Sequence, residues 1–95
     1  ITFFGYPDGG TQAMWQRHWS SAHPYKSKCT RFSASPYENS FTPEAPYCGA
    51  QMLDDLVRLI KEWRPTVIMT THPADTHADH WAAYSATLAA LEMLR

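Results

Sequence analysis

The chain has 95 residues, a mass of 10.8 kDa, and 8 Lys and Arg against 9 Asp and Glu. That size allows one small domain or part of a larger one, and the near balance of charge removes any electrostatic ground for nucleic acid or an anionic membrane surface as a partner. A hydrophobic share of 44% with 14% aromatics excludes simple disorder, and no apolar run reaches the ~20 residues that span a bilayer.

Ile1 to Phe4 is a β-branched and aromatic run stopped by Gly5 and Pro7, which predicts the end of a buried strand. Because the sequence opens on Ile1 and runs straight into apolar residues, this reading makes residue 1 internal to a longer protein. Pro7-Asp8-Gly9-Gly10 has turn chemistry: proline presets φ and glycine permits a positive one. Thr11 to Trp19 predicts one or two helical turns with Thr11 as the cap. From Gly5 to about Gly49 the chain holds all four Gly, five of the seven Pro and eight of the thirteen aromatics. No period survives that punctuation, so an irregular insert is predicted, of a length unusual inside a compact domain. Its rings have two readings. Trp15, Trp19, Tyr25, Tyr37 and Tyr47 either line a sugar-binding rim or anchor the insert to the core. Cys29 and Cys48 allow one disulfide at most, and their spacing matches no zinc or redox motif, so two free thiols are the simpler reading.

Met52, Leu53, Leu56, Val57, Ile60 and Trp63 recur at three- and four-residue steps and predict a helix with one apolar face. Asp54 and Asp55 stand early in it and Arg58, Lys61 and Arg64 late, an order that complements the helix dipole, and Pro65 ends it. Thr66 to Thr70 is a continuous apolar run of the kind buried on both faces of a parallel sheet. A second helix is predicted from about Ala78 to Leu94, with Trp81, Tyr84, Leu88 and Leu91 on one stripe and packing on more than one side. Strand, insert, helix, strand and helix in that order predict an α/β fold with right-handed crossovers.

Between the second strand and the second helix lies Thr71 to His80, where His72, Asp75, His77, Asp79 and His80 make five His or Asp in nine residues. Ligands bind beyond the carboxyl ends of strands in open parallel sheets, so place and composition agree. Imidazole and carboxylate are the donors that zinc and similar divalent ions accept. His77 and His80 are three apart, which one helical turn brings to one side. Asp79 suits a helix start and the outer-shell role of holding a ligating imidazole. The plainer alternative is that Thr76 or Asp79 simply caps the helix and the histidines are solvated loop groups.

These residues resemble the LmbE-like, PIG-L-type N-deacetylase family. The match is to a His-x-Asp-His core, His77-Ala78-Asp79-His80, in the context Pro73-x-Asp75-x-His77, and to the turn at Gly5-Tyr6-Pro7-Asp8-Gly9. Ser35-Pro36-Tyr37, Ala45-Pro46-Tyr47-Cys48-Gly49 and Arg64-Pro65 extend the likeness over nearly the whole chain. The resemblance implies a Rossmann-like parallel sheet with flanking helices and the aromatic-rich insert, in one incomplete domain over residues 1–95. It implies a zinc-dependent hydrolase, or one using another divalent metal, that removes acetyl from an N-acetylglucosamine-type sugar or related amine through a metal-activated water. By position, His80 matches the zinc ligand. His77 matches a catalytic histidine that stabilises or protonates the reacting amide, and Asp79 the carboxylate between them. Asp8 matches a substrate-side turn carboxylate. His72 and Asp75 have no counterpart. The family's opening His-Pro-Asp-Asp-Glu-like run, which supplies two further ligands and the general base, has no match here. The expectation is therefore a central or C-terminal part of such a protein, inactive alone. Two rivals stand beside this reading: a non-catalytic carbohydrate-binding or interaction module with a structural metal clip, and a metal-dependent phosphoesterase. Compartment and oligomeric state stay open.

Overall fold

The computed structural model describes residues 2–95. Its regular structure is three helices, α1 (Thr11–Arg17), α2 (Gly49–Trp63) and α3 (Ala78–Met93), each in contact with the other two. The two long helices fall where the apolar periodicity predicts them. α2 ends at Arg64, which takes the left-handed conformation at φ 48° and returns its N–H to the Ile60 carbonyl before Pro65 stops the helix. At its start the Gly49 and Ala50 N–H groups donate to the carbonyls of His18 and Trp19 at 2.9 and 3.0 Å. The tail of α1 thus satisfies two of the donors that a helix start leaves open. A Cβ on Gly49 would stand 2.4 Å from the Trp19 ring and 3.0 Å from the Met14 carbonyl, so only glycine allows this approach.

The face of α3 differs from the one its large side chains suggest. Ala82, Ala86, Thr87 and Ala90 are buried, while Leu88, Leu91 and Met93 are exposed. The small face is inward because the space between the helices is already filled by Met14, Tyr47 and Met52, with Ala86 against them. Alanines let α3 approach that cluster closely. Tyr6, Trp15, Tyr25 and Leu56 pack around it. Most aromatics of the insert therefore serve as anchors, while Trp19, Phe32 and Tyr37 are left substantially exposed. The insert also ties its own backbone: Ser35 N–H to the Ala45 carbonyl, Tyr47 N–H to the Ser33 carbonyl, and Tyr25 N–H to the Tyr47 carbonyl, at 2.7–2.9 Å. Cys29 is exposed and Cys48 buried, and both are free thiols.

The parallel sheet is not there. Among the described residues the extended pairing is one isolated antiparallel bridge between Ala34 and Pro46, so the expected α/β, Rossmann-like architecture gives way to a helical one. Thr2 to Phe4 form no strand, and Ile1 lies outside the described residues. Thr66 to Thr70 are exposed, Met69 at 91%. A strand exists through the hydrogen bonds of a neighbour. An apolar run records a wish for burial, not the presence of that neighbour, and these two runs do not pair. Val67 and Ile68 instead border an apolar cleft of about 340 Å³ with Leu56, Ile60 and Trp63. No helix among the described residues is long and apolar enough to cross a membrane.

What closes the insert onto the helices is a carboxylate. Asp55 has no exposed surface. It accepts the Tyr6 hydroxyl on one oxygen, and on the other the Thr42 hydroxyl at 2.7 Å and the Gln51 amide at 2.8 Å. The Arg58 guanidinium stands 3.6 Å away, donates to Thr42 at 3.0 Å and lies over the Phe41 ring. Asp55 is thus a buried cross-link rather than the dipole complement its place in the sequence suggests. Burial first, then the hydrogen bond and charge of Asp55, push the Tyr6 phenol far above its ordinary value of 10.0.

Tyr6→Phe leaves one buried Asp55 oxygen without a donor and is expected to cost about 1–3 kcal/mol in urea denaturation. Because Tyr6 titrates higher folded than unfolded, its contribution is complete below about pH 10 and fades above it as the unfolded chain ionises. Burial also raises Tyr47. The urea midpoint of the native chain should therefore fall above about pH 10, and that of Tyr6→Phe should fall less steeply.

Candidate functional site

The turn at Pro7 to Gly10 is closed by the Gly10 N–H on the Pro7 carbonyl at 3.1 Å, and Gly9 sits at φ 76°, where a side chain would be strained. Asp79, in the first turn of α3, holds this turn. One oxygen accepts the Gly9 N–H at 2.7 Å; the other accepts the Thr11 N–H at 3.2 Å and the Thr11 hydroxyl. The carboxylate therefore sits at two positive helix ends, its own and that of α1. Burial works to raise its pKa, but the Thr11 hydroxyl, the two backbone N–H groups and nearby His77 outweigh it and hold Asp79 below the usual carboxylate range. Asp8 is exposed on this turn and, with Asp79, Tyr6 and Thr11, lines the polar part of a cavity of about 450 Å³ whose apolar part includes Phe4, Met52 and Leu56.

The fold brings the Gly-rich turn and the His/Asp window together across some seventy residues of sequence, as the Gly9–Asp79 contact records. The two histidines stand just outside that cavity's lining. His77 is the N-cap of α3, its Nδ1 accepting the Asp79 N–H at 3.2 Å. A ring that accepts at Nδ1 carries its hydrogen on Nε2. The His80 Nδ1 lies 2.9 Å from one Asp75 oxygen, and the other Asp75 oxygen accepts the His77 N–H at 2.9 Å. The two rings stack with centroids 4.4 Å apart and planes 21° apart. The His77 N–H first, then the His80 ring, hold Asp75 below the usual carboxylate range. Thr71 donates to the His80 carbonyl. His72 is exposed and its Nδ1 accepts the Ala74 N–H at 3.0 Å, a contact local to its own turn.

Zinc needs three or four converging donors, and no such group of His, Cys, Asp and Glu occurs among the described residues. Both Asp79 oxygens are committed to the turn, and both Nδ1 atoms are occupied. The residues present therefore do not fit a metal centre of their own. The metal-clip alternative lacks its clip for the same reason.

Sequence reasoning named Asp75 and Thr11 but missed their roles. Asp75 precedes His80 by five positions on non-helical backbone, a spacing that no helical or strand period marks. Thr11 reads as a cap, whereas the N-cap of α1 is Gly10 and the Thr11 hydroxyl crosses to α3.

A family model described as PIG-L, GlcNAc-PI de-N-acetylase, matches residues 1–91. No curated protein and no solved structure matches the chain.

Asp79→Ala removes all three bonds to the turn and is expected to cost about 1.5–3 kcal/mol, since hydrogen bonds to a charged group are the stronger kind. Amide hydrogen exchange should rise at Gly9 and Thr11 more than elsewhere in the chain; uniform acceleration would show that the bonds hold no particular turn.

Proposed function

The chain belongs to the PIG-L family of deacetylase-type hydrolases, and on that premise we propose that His77, His80 and the Asp8 turn are the working groups of an N-deacetylase site for an N-acetylated amino sugar or related amide. The observation that carries this reading is the pair of stacked, hydrogen-bonded imidazoles at the start of α3. Rings so held are oriented before any ligand arrives, which is the condition for preorganised catalysis.

His77 carries its hydrogen on Nε2 and can donate it to an acyl oxygen as negative charge develops there. His80 offers an imidazole donor to a divalent ion, zinc being the cofactor the family implies. The chain's own residues add no further donor to it, so the roles proposed here are those of protein groups alone. Asp8 stands exposed at the cavity wall and accepts hydrogen bonds from sugar hydroxyls or the amide N–H. Asp79 positions Asp8 by holding the turn that bears it.

In the intact protein, His77→Ala is expected to lower kcat for acetate release from an N-acetylated amino sugar by about 10²–10³-fold. KM should change little, because the lost hydrogen bond is made in the transition state. Asp8→Asn should act mainly on KM. Preferential turnover of an aryl phosphate, or unchanged amide hydrolysis in His80→Ala, would overturn the reading.

A further inference from the structure

We infer that Asp75 is the positioning residue of this site: its carboxylate fixes the His80 ring with hydrogen on Nδ1 and leaves the Nε2 lone pair free, beside a His77 ring held in the opposite tautomer. An ionised carboxylate only accepts hydrogen bonds. The 2.9 Å contact between the Asp75 oxygen and the His80 Nδ1 therefore requires hydrogen on Nδ1, and the lone pair of the neutral ring then lies on Nε2. The partner that His77 meets has the reverse character, a backbone N–H, and puts its hydrogen on Nε2. Two parallel rings with centroids 4.4 Å apart thus present one lone pair and one N–H.

Asp75 is itself held on both sides. Its second oxygen takes the His77 N–H at 2.9 Å, and its own N–H donates to the His72 carbonyl at 3.1 Å. The Ala74 N–H meets His72 Nδ1, and Thr71 reaches over to the His80 carbonyl. The loop from Thr71 to Asp75 is in this way wrapped on the first turn of α3 with its carboxylate against one ring. Asp79, the immediate neighbour of His80 in sequence, is unavailable for this task because its oxygens are taken by Gly9 and Thr11. The ligand chemistry that a lone pair beside an N–H recognises is a group that both donates and accepts, such as the amide of an N-acetylated substrate. For that purpose the inference rests on the deacetylase reading. The tautomers themselves do not, so the two fail separately.

The test is the long-range proton–nitrogen NMR spectrum of the imidazoles, recorded on the chain without added metal at about pH 8, above the ordinary imidazole value. The expected spectrum shows hydrogen on Nδ1 for His80 and on Nε2 for His77. In Asp75→Ala the His80 pattern should shift to the Nε2–H form while His77 stays unchanged, since its partner is backbone. Asp75→Asn, which keeps an acceptor oxygen, should restore part of the Nδ1–H form. A His80 that carries its hydrogen on Nε2 in the native chain overturns the inference, and so does an unaltered tautomer in Asp75→Ala. If circular dichroism shows that a variant has lost its helices, the native spectrum alone decides.

Discussion

Asp55 places a carboxyl group where no solvent reaches it, and the arrangement of the chain around it follows from that constraint. A buried carboxylate is tolerable only when its oxygens are occupied. The donors come from three separate stretches: Tyr6 before the first turn, Thr42 in the insert, and Gln51 on the preceding turn of the same helix. Each would otherwise be free to move independently. By meeting at one residue they fix the insert on α2 and bring the Tyr6 arm into the core, where its ring faces Tyr47. The aromatic cluster supplies the apolar area; the carboxylate supplies the register in which that area is buried.

Two other aspartates repeat the device nearer the surface with different consequences. Asp79 joins the turn at Asp8 to the start of α3, and Asp75 joins the loop before α3 to an imidazole on it. Together they gather a dense set of polar contacts at the N-terminal end of α3, although it lies at the surface. Its polar contacts run to backbone N–H groups as much as to side chains, which makes the geometry depend on the path of the main chain rather than on long flexible side chains.

α2 and α3 were legible in the sequence because their signals are local: three- and four-residue spacing, and a proline just after α2. The Gly-rich turn and the His/Asp window were legible as chemistry, because residue type alone marks them. Three things were not. Burial of Asp55 depends on residues up to forty-nine positions away, and no local pattern encodes such a meeting. The inward face of α3 was misjudged from its large side chains, because which face is buried depends on what the neighbours have already filled. Thr66 to Thr70 has the composition of a buried strand, yet composition cannot say whether a hydrogen-bonding neighbour exists. The family resemblance supplied roles for His77, Asp79 and His80 but was silent on Asp75, whose partner emerges only when the loop is folded.

The exposed run from Thr66 to Thr70 also has a colloidal consequence. It is uncharged and largely apolar, and among the described residues its backbone takes part in no strand pairing. Such a segment is a template for edge-to-edge growth in concentrated solution. Pro65 in front of it and Pro73 behind it act as gatekeepers, because neither can extend a hydrogen-bonded ladder. They confine the apolar stretch to a few residues.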